Sequence, residues 1–134
     1  MTCRQYATCA ETVPAAFGLS ASSVSRRFVR ASARHLRTLC ERRLDQDEFV
    51  AVVLDGKTFA QDAMVIALEL TLQGQKKILG FVQTATENEP VCAAFLRALV
   101  ARGLRVELGL LCIIDGAKEL RTAIQTLFGS QALV

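Results

Sequence analysis

Tryptophan is absent from the 134 residues, and tyrosine and histidine occur once each. So few large rings argue against the aromatic stacking platforms on which single-stranded nucleic acid is bound. The one histidine, His35, has no cysteine or histidine at metal-ligand spacing. The five cysteines (Cys3, Cys9, Cys40, Cys92 and Cys112) contain no C-x-x-C pair. A structural zinc site is therefore not expected, and unpaired thiols fit a reducing cytoplasm better than secretion. The first twenty residues hold Arg4, Glu11 and Pro14 and no unbroken apolar stretch, so no signal peptide is expected. The longest apolar runs fall far short of the roughly 20 residues that span a bilayer, so no membrane partner is expected.

What is present is apolar residue in quantity and arginine in one place. Hydrophobic residues make up 51% of the chain, enough for a packed core rather than wholesale disorder. The net charge of +3 is unevenly spread. Residues 1–45 carry eight arginines against three acids, whereas residues 46–134 carry eight basic and ten acidic residues. A basic, arginine-only N-terminal third attached to a nearly neutral remainder points to a polyanion-binding segment joined to a second domain. The boundary is placed at 45/46.

Hydrophobic period divides the chain the same way. A short helix over Thr8–Ala16, broken near Pro14, precedes a turn at Gly18. Ser20 is a good N-cap for a helix that continues through Leu36, Leu39 and Leu44. Leu19, Val24 and Phe28 form its apolar edge, and its arginines lie largely on the wet side. From Asp45 the period shortens. Phe49–Leu54 reads as a buried strand stopped by Asp55-Gly56, Ala63–Leu72 as a second and Lys77–Gln83 as a third, the last two joined as a hairpin. Asn88 caps a helix with Pro90 in its first turn and Val91, Phe95, Leu96, Leu99 and Val100 inward, and Gly103 ends it. Leu108–Ile114 is a fourth strand ending at Asp115-Gly116. A last helix over Ala117–Phe128 turns Leu120, Ile124, Leu127 and Phe128 inward. The predicted class is α/β: a helix-turn-helix-like segment followed by β-β-β-α-β-α, an incomplete ribonuclease H-like domain in which a crossover helix sets strand four parallel to strand one.

Asp55 and Asp115 each follow an apolar strand, as Leu54-Asp55-Gly56 and Ile114-Asp115-Gly116. One such dipeptide is an ordinary strand end. Two, at the carboxyl ends of strands expected side by side, place carboxylates where they repel unless a cation lies between them. Magnesium or manganese takes such hard oxygen ligands, and ions held this way serve phosphodiester chemistry. On the helix, Ser22, Ser23, Ser25, Arg26 and Arg27 stand where a recognition helix meets base edges or phosphates. Arg30 and Arg34, with Arg37, add sequence-independent phosphate contacts. Most of these arginines have no acid at i+4, so the face is not a lattice of salt bridges.

The ordered blocks Phe49–Lys57, Lys77-Ile78-Leu79-Gly80-Phe81, Phe95–Leu99 with Arg102-Gly103-Leu104, and Ile114–Leu120 resemble the bacterial Mutator-type insertion-sequence transposases. The upstream Gly18-Leu19-Ser20 and Ser23–Arg26 are similar to the helix-turn-helix before their catalytic domain. The resemblance covers residues 17–129. It implies a DDE recombinase that cuts double-stranded DNA at element ends and joins the 3′-hydroxyl to a target, with Asp55 and Asp115 as its first two catalytic, metal-binding carboxylates. The family's third carboxylate, a glutamate, lies well beyond the second, and the sequence stops at Val134. The expectation is a transposase fragment inactive alone, with homo-oligomerisation left open. Glu119 reads as an exposed helix residue, and Glu87 and Glu89 as acids complementing a helix dipole. Two other readings remain: a non-enzymatic DNA-binding regulator with an α/β effector or dimerisation part, and a small nuclease completing its site with Glu87 or Glu119.

Overall fold

A computed structural model of the chain describes residues 20–46, 49–59, 61–85 and 88–134. The expected Thr8–Ala16 helix, the turn at Gly18, Leu19, Cys3, Cys9 and Glu87 lie outside the described residues. The chain divides into two compact units, Met1–Thr38 and Leu39–Val134.

Helix α1 spans Ala21–Glu41. Ser20 starts it as an N-cap should: its Oγ accepts the Ser23 amide at 3.2 Å and its carbonyl accepts the Val24 amide at 3.0 Å. The helix stops at Glu41, short of Leu44, and the reason lies in the core of the second unit. Leu44 is fully buried there, with its amide donating to the Arg102 carbonyl at 2.8 Å. Burying a leucine is worth about 1.5–3 kcal/mol, more than the few tenths that helix propensity offers per residue.

The second unit is a five-stranded mixed sheet with strand order β3-β2-β1-β4-β5. Its strands are β1 (Phe49–Phe59), β2 (Asp62–Thr71), β3 (Lys76–Thr84), β4 (Leu110–Ile114) and β5 (Ala132–Leu133). β1, β2 and β3 form an antiparallel meander, while β4 runs parallel to β1 and β5 parallel to β4. Helix α2 (Glu89–Ala101) connects β3 to β4, and α3 (Lys118–Phe128) with a 3₁₀ turn (Gly129–Gln131) connects β4 to β5.

Alternation along the strands gives the sheet an inner face. Val65 and Ala67 of β2 and Leu110 and Cys112 of β4 are buried, whereas Leu111 and Ile113 between them stay exposed. Val52 and Leu54 of β1 join them under Cys92, Ala93, Phe95, Leu96 and Leu99 of α2 and Leu120, Ala123, Ile124 and Phe128 of α3. Of the residues expected inward, Val100 is exposed, Val91 is half-buried outside the core and Leu127 packs at the core's margin, while Cys92, Ala93 and Ala123 are buried. Among the described residues Glu69 is the one charged residue buried on this face, and the Lys77 ammonium stands 3.9 Å from its Oε1. Cys40, Cys92 and Cys112 are free thiols, and burial pushes the Cys112 thiol up to about 11.

The α2 terminus carries the second structural device. Asn88 caps its start, accepting the Val91 amide at 3.1 Å with Pro90 in the first turn. Arg102 follows its last residue. The Arg102 amide bonds back to the carbonyls of Ala98 and Leu99, while Nε donates to the Arg42 carbonyl at 2.9 Å and Nη2 to the Leu39 carbonyl at 2.8 Å. Those are the orphan carbonyls at the end of α1, so one guanidinium satisfies acceptors that the helix itself leaves open. Partial burial lowers the Arg102 pKa, chiefly by desolvation.

Candidate functional site

The two Asp-Gly dipeptides have different fates. Gly116 adopts φ +97° and turns the chain out of β4, so Asp115 does close a strand. Asp55 does not. β1 continues four residues beyond it, with Asp55 opposite Ile66, Gly56 opposite Val65 and Phe59 opposite Asp62. The antiparallel partner β2 supplies a ladder for those residues, and that pairing overrides the turn preference of Asp-Gly. The expected strand end at Asp55 is therefore corrected to a position within a longer strand.

The carboxylates nevertheless share one place on the sheet. β1 and β4 are neighbouring parallel strands in which Val53 faces Ile113 and Leu54 faces Ile114. Asp55 and Asp115 each come one residue after that last pair. Neighbouring strands lie about 4.8 Å apart, so the two backbones carry their aspartates out at the same edge. The Asp55 side chain is one-third exposed and Asp115 is exposed, so both are open to solvent. Among the described residues no group of three His, Cys, Asp or Glu converges on a common point. Glu119 is exposed on the first turn of α3, and Glu89 is exposed in the first turn of α2.

Beside Asp55 stands a residue that its sequence position alone does not link to the carboxylates. The Lys57 ammonium lies 3.1 Å from Asp55 Oδ2. Residues two apart in a strand share a face, so this pairing follows once β1 is known to continue past Gly56.

On α1 the arginines fall into register. At 100° per residue, Arg26, Arg27, Arg30, Arg34 and Arg37 lie within roughly 100° of arc and extend for about 16 Å along the axis. All five are exposed, and Arg27, Arg30 and Arg34 line one shallow cleft with Ala31 and His35. Ser23 falls within the same arc; Ser22 lies at its margin. Ser25 falls on the other side, in the sector of Phe28, Val29 and Leu36, which are 66%, 61% and 46% exposed. The candidate DNA-binding residues thus separate, with the five arginines and Ser23 together, Ser22 at their margin and Ser25 apart. The apolar edge named from Val24 and Phe28 is present, and no residue of α1 is buried.

No helix among the described residues is long and apolar enough to cross a membrane. Compared with known families, residues 1–133 match the transposases of the Mutator family. No curated protein matches the chain.

Proposed function

The chain belongs to the Mutator family of transposases, and from that membership we propose that it is part of a DDE transposase in which Asp55 and Asp115 are the first two metal-binding carboxylates. The observation that carries this reading is the pairing of Leu54 with Ile114, which brings two aspartates from distant sequence to one edge of a rigid sheet. The antiparallel β1–β3 meander, with β4 parallel and adjacent to β1, supports a ribonuclease H-like layout for the second unit.

The donor set suits a hard divalent cation. Carboxylate oxygens open to solvent are what magnesium or manganese accepts, since each keeps several waters and needs only one or two carboxylates from the protein. Such an ion, when bound, supplies the charge that activates a hydroxyl nucleophile and stabilises the oxygen leaving phosphorus. Asp55 and Asp115 fix where that charge sits because the β1–β4 ladder holds their backbones. With no third ligand among the described residues, the pair is proposed to bind the ion weakly and not to cut DNA unaided.

The first unit supplies the DNA contact. The arc of Arg26, Arg27, Arg30, Arg34 and Arg37 lies along the phosphates of a duplex, with Ser22 and Ser23 near the base edges and Ser25 towards the apolar sector. An exposed arginine row binds any duplex through counterion release, and sequence choice falls to the helix start.

Titration of the chain with magnesium chloride, followed by the Asp55 and Asp115 amide shifts and accompanied by a plasmid-nicking assay, tests the reading. Saturable shifts at both residues, abolished by Asp55→Ala and without nicking, are expected. Nicking that depends on Asp55 would mean that the site is complete. A folded sample with no shift at either aspartate, yet with duplex binding, would favour a non-enzymatic DNA-binding protein.

A further inference from the structure

Asp55 already has a cation beside it. We propose that Lys57 is a built-in counterion of the carboxylate pair: its ammonium holds Asp55 while no divalent ion is bound and must leave for one to bind. The proposal rests on the reading of Asp55 and Asp115 as metal-binding carboxylates.

Geometry makes the competition direct. The Lys57 ammonium is 3.1 Å from Asp55 Oδ2, close enough to hold an oxygen that a metal would take. Lys57 and Asp55 share a strand face, because side chains two residues apart in a strand point the same way. The Lys57 side chain is 56% exposed, so burial does not force it onto Asp55. It reaches back along the strand when water is available in the other direction. The carboxylates explain why: two negative charges at one sheet edge favour any cation that can be placed there. An ammonium offsets only one of them, whereas a divalent ion offsets both, so the ion displaces Lys57 once its concentration is sufficient. The released ammonium is then free to meet a phosphate of the DNA.

The expected size of the effect is modest because the pair is exposed. Ion pairs of this kind are worth a factor of about two to five in an equilibrium constant. Lys57→Met should therefore tighten magnesium binding roughly two- to five-fold. Lys57→Glu places a third carboxylate on the same face and should tighten it by more, on the order of tenfold, because ligand charge count sets affinity at such sites.

The test is a magnesium chloride titration of the full chain, read by NMR on the wild type, K57M, K57E and D55N. Apparent Kd comes from the Asp55 and Asp115 amides, and release of the ammonium from the Lys57 Cε and Hε signals. In the wild type, the Lys57 signals should move along the same curve as the aspartates, and K57M and K57E should saturate at lower magnesium. K57Q replaces K57M should the latter not fold. Shifts at both aspartates with unchanged or weaker affinity in K57M, or with static Lys57 signals, would overturn the role of Lys57 and leave the carboxylate reading intact. Shifts at neither aspartate in any form would overturn both.

Discussion

Gly103 is the position at which the packing argument is most exposed to refutation. It has φ +105°, and a Cβ built there would lie 2.8 Å from Asp45 Cβ, 2.9 Å from the Asp45 amide nitrogen and 3.2 Å from its Cα. These neighbours cannot swing aside, because two are backbone atoms and Asp45 is tied down. The Asp45 Oδ2 accepts from Arg43 at 2.7 Å and its carbonyl from Arg105 at 3.2 Å. Gly103→Ala therefore incurs two costs. A left-handed φ in a residue with a side chain costs about 1–2 kcal/mol, and overpacking against fixed atoms about 1–3 kcal/mol. Restricting the unfolded chain returns roughly 0.4–1 kcal/mol. The net expectation is a loss of about 2–4 kcal/mol, on the order of 8–16 °C in Tm for a chain of this size. Gly74 provides the control. Its φ is +75°, and nothing lies within 4 Å of the added Cβ, so Gly74→Ala should lose only about 1 kcal/mol. Urea denaturation of both variants, compared at equal m-values, isolates the steric part. If Gly103→Ala is no less stable than Gly74→Ala, the tight approach of residues 102–104 to Asp45 is wrong.

Arg102→Met should cost about 2–3 kcal/mol in urea denaturation, because the Leu39 and Arg42 carbonyls lose a charged donor. Arg102→Lys should recover less than half of that loss, since a point ammonium cannot span both acceptors. Replacing Arg30 and Arg34 with alanine should weaken duplex binding uniformly across sequences. It should also reduce the slope of log K against log salt by roughly 1.8 in fluorescence anisotropy; an unchanged slope would remove the α1 arc from the DNA contact. Burial raises the Cys112 thiol to about 11 from an ordinary value of 9.0. The folded state thus favours the neutral thiol, a contribution present in full below pH 9 and lost as pH rises towards 11. Cys112→Val should flatten that part of the stability profile, and iodoacetamide at pH 8 should alkylate the half-buried Cys40 well before Cys112.

Local signals carried the sequence reading furthest where one residue type does one job. Asn88, Pro90 and Gly103 bracket α2 as their chemistry requires, and Ser20 caps α1. The adjacency of the strands that carry Asp55 and Asp115 is legible because strand period and a crossover helix suffice to bring strands one and four together. The same Asp-Gly dipeptide, read twice as a strand end, is one only at Asp115. Whether it breaks a strand depends on whether a neighbouring strand can still pair with it, and that partner, β2, is remote information. Lys57 is not legible as a companion of Asp55 for the same reason, since a residue beyond a turn has no defined face. The spacing of Leu44 fits the helix, whereas its burial in the core is tertiary. β5 has two residues, too few to show any period, and exists because β4 offers an edge.

The strand connectivity also has a consequence in time. β1, β2 and β3 pair with their sequence neighbours, so the meander closes only short loops. The β1–β4 ladder joins Ala51 to Leu111 and closes a loop that contains two strands and a helix. Contacts of such sequence separation form late, after local structure has lowered their entropic cost. Asp55 would therefore be set in the meander first, and Asp115 would arrive beside it only with the last pairing. Under the proposed carboxylate reading, cation binding should appear during refolding only with the phase that completes the β1–β4 ladder, and opening of that one ladder should abolish it while leaving the meander whole.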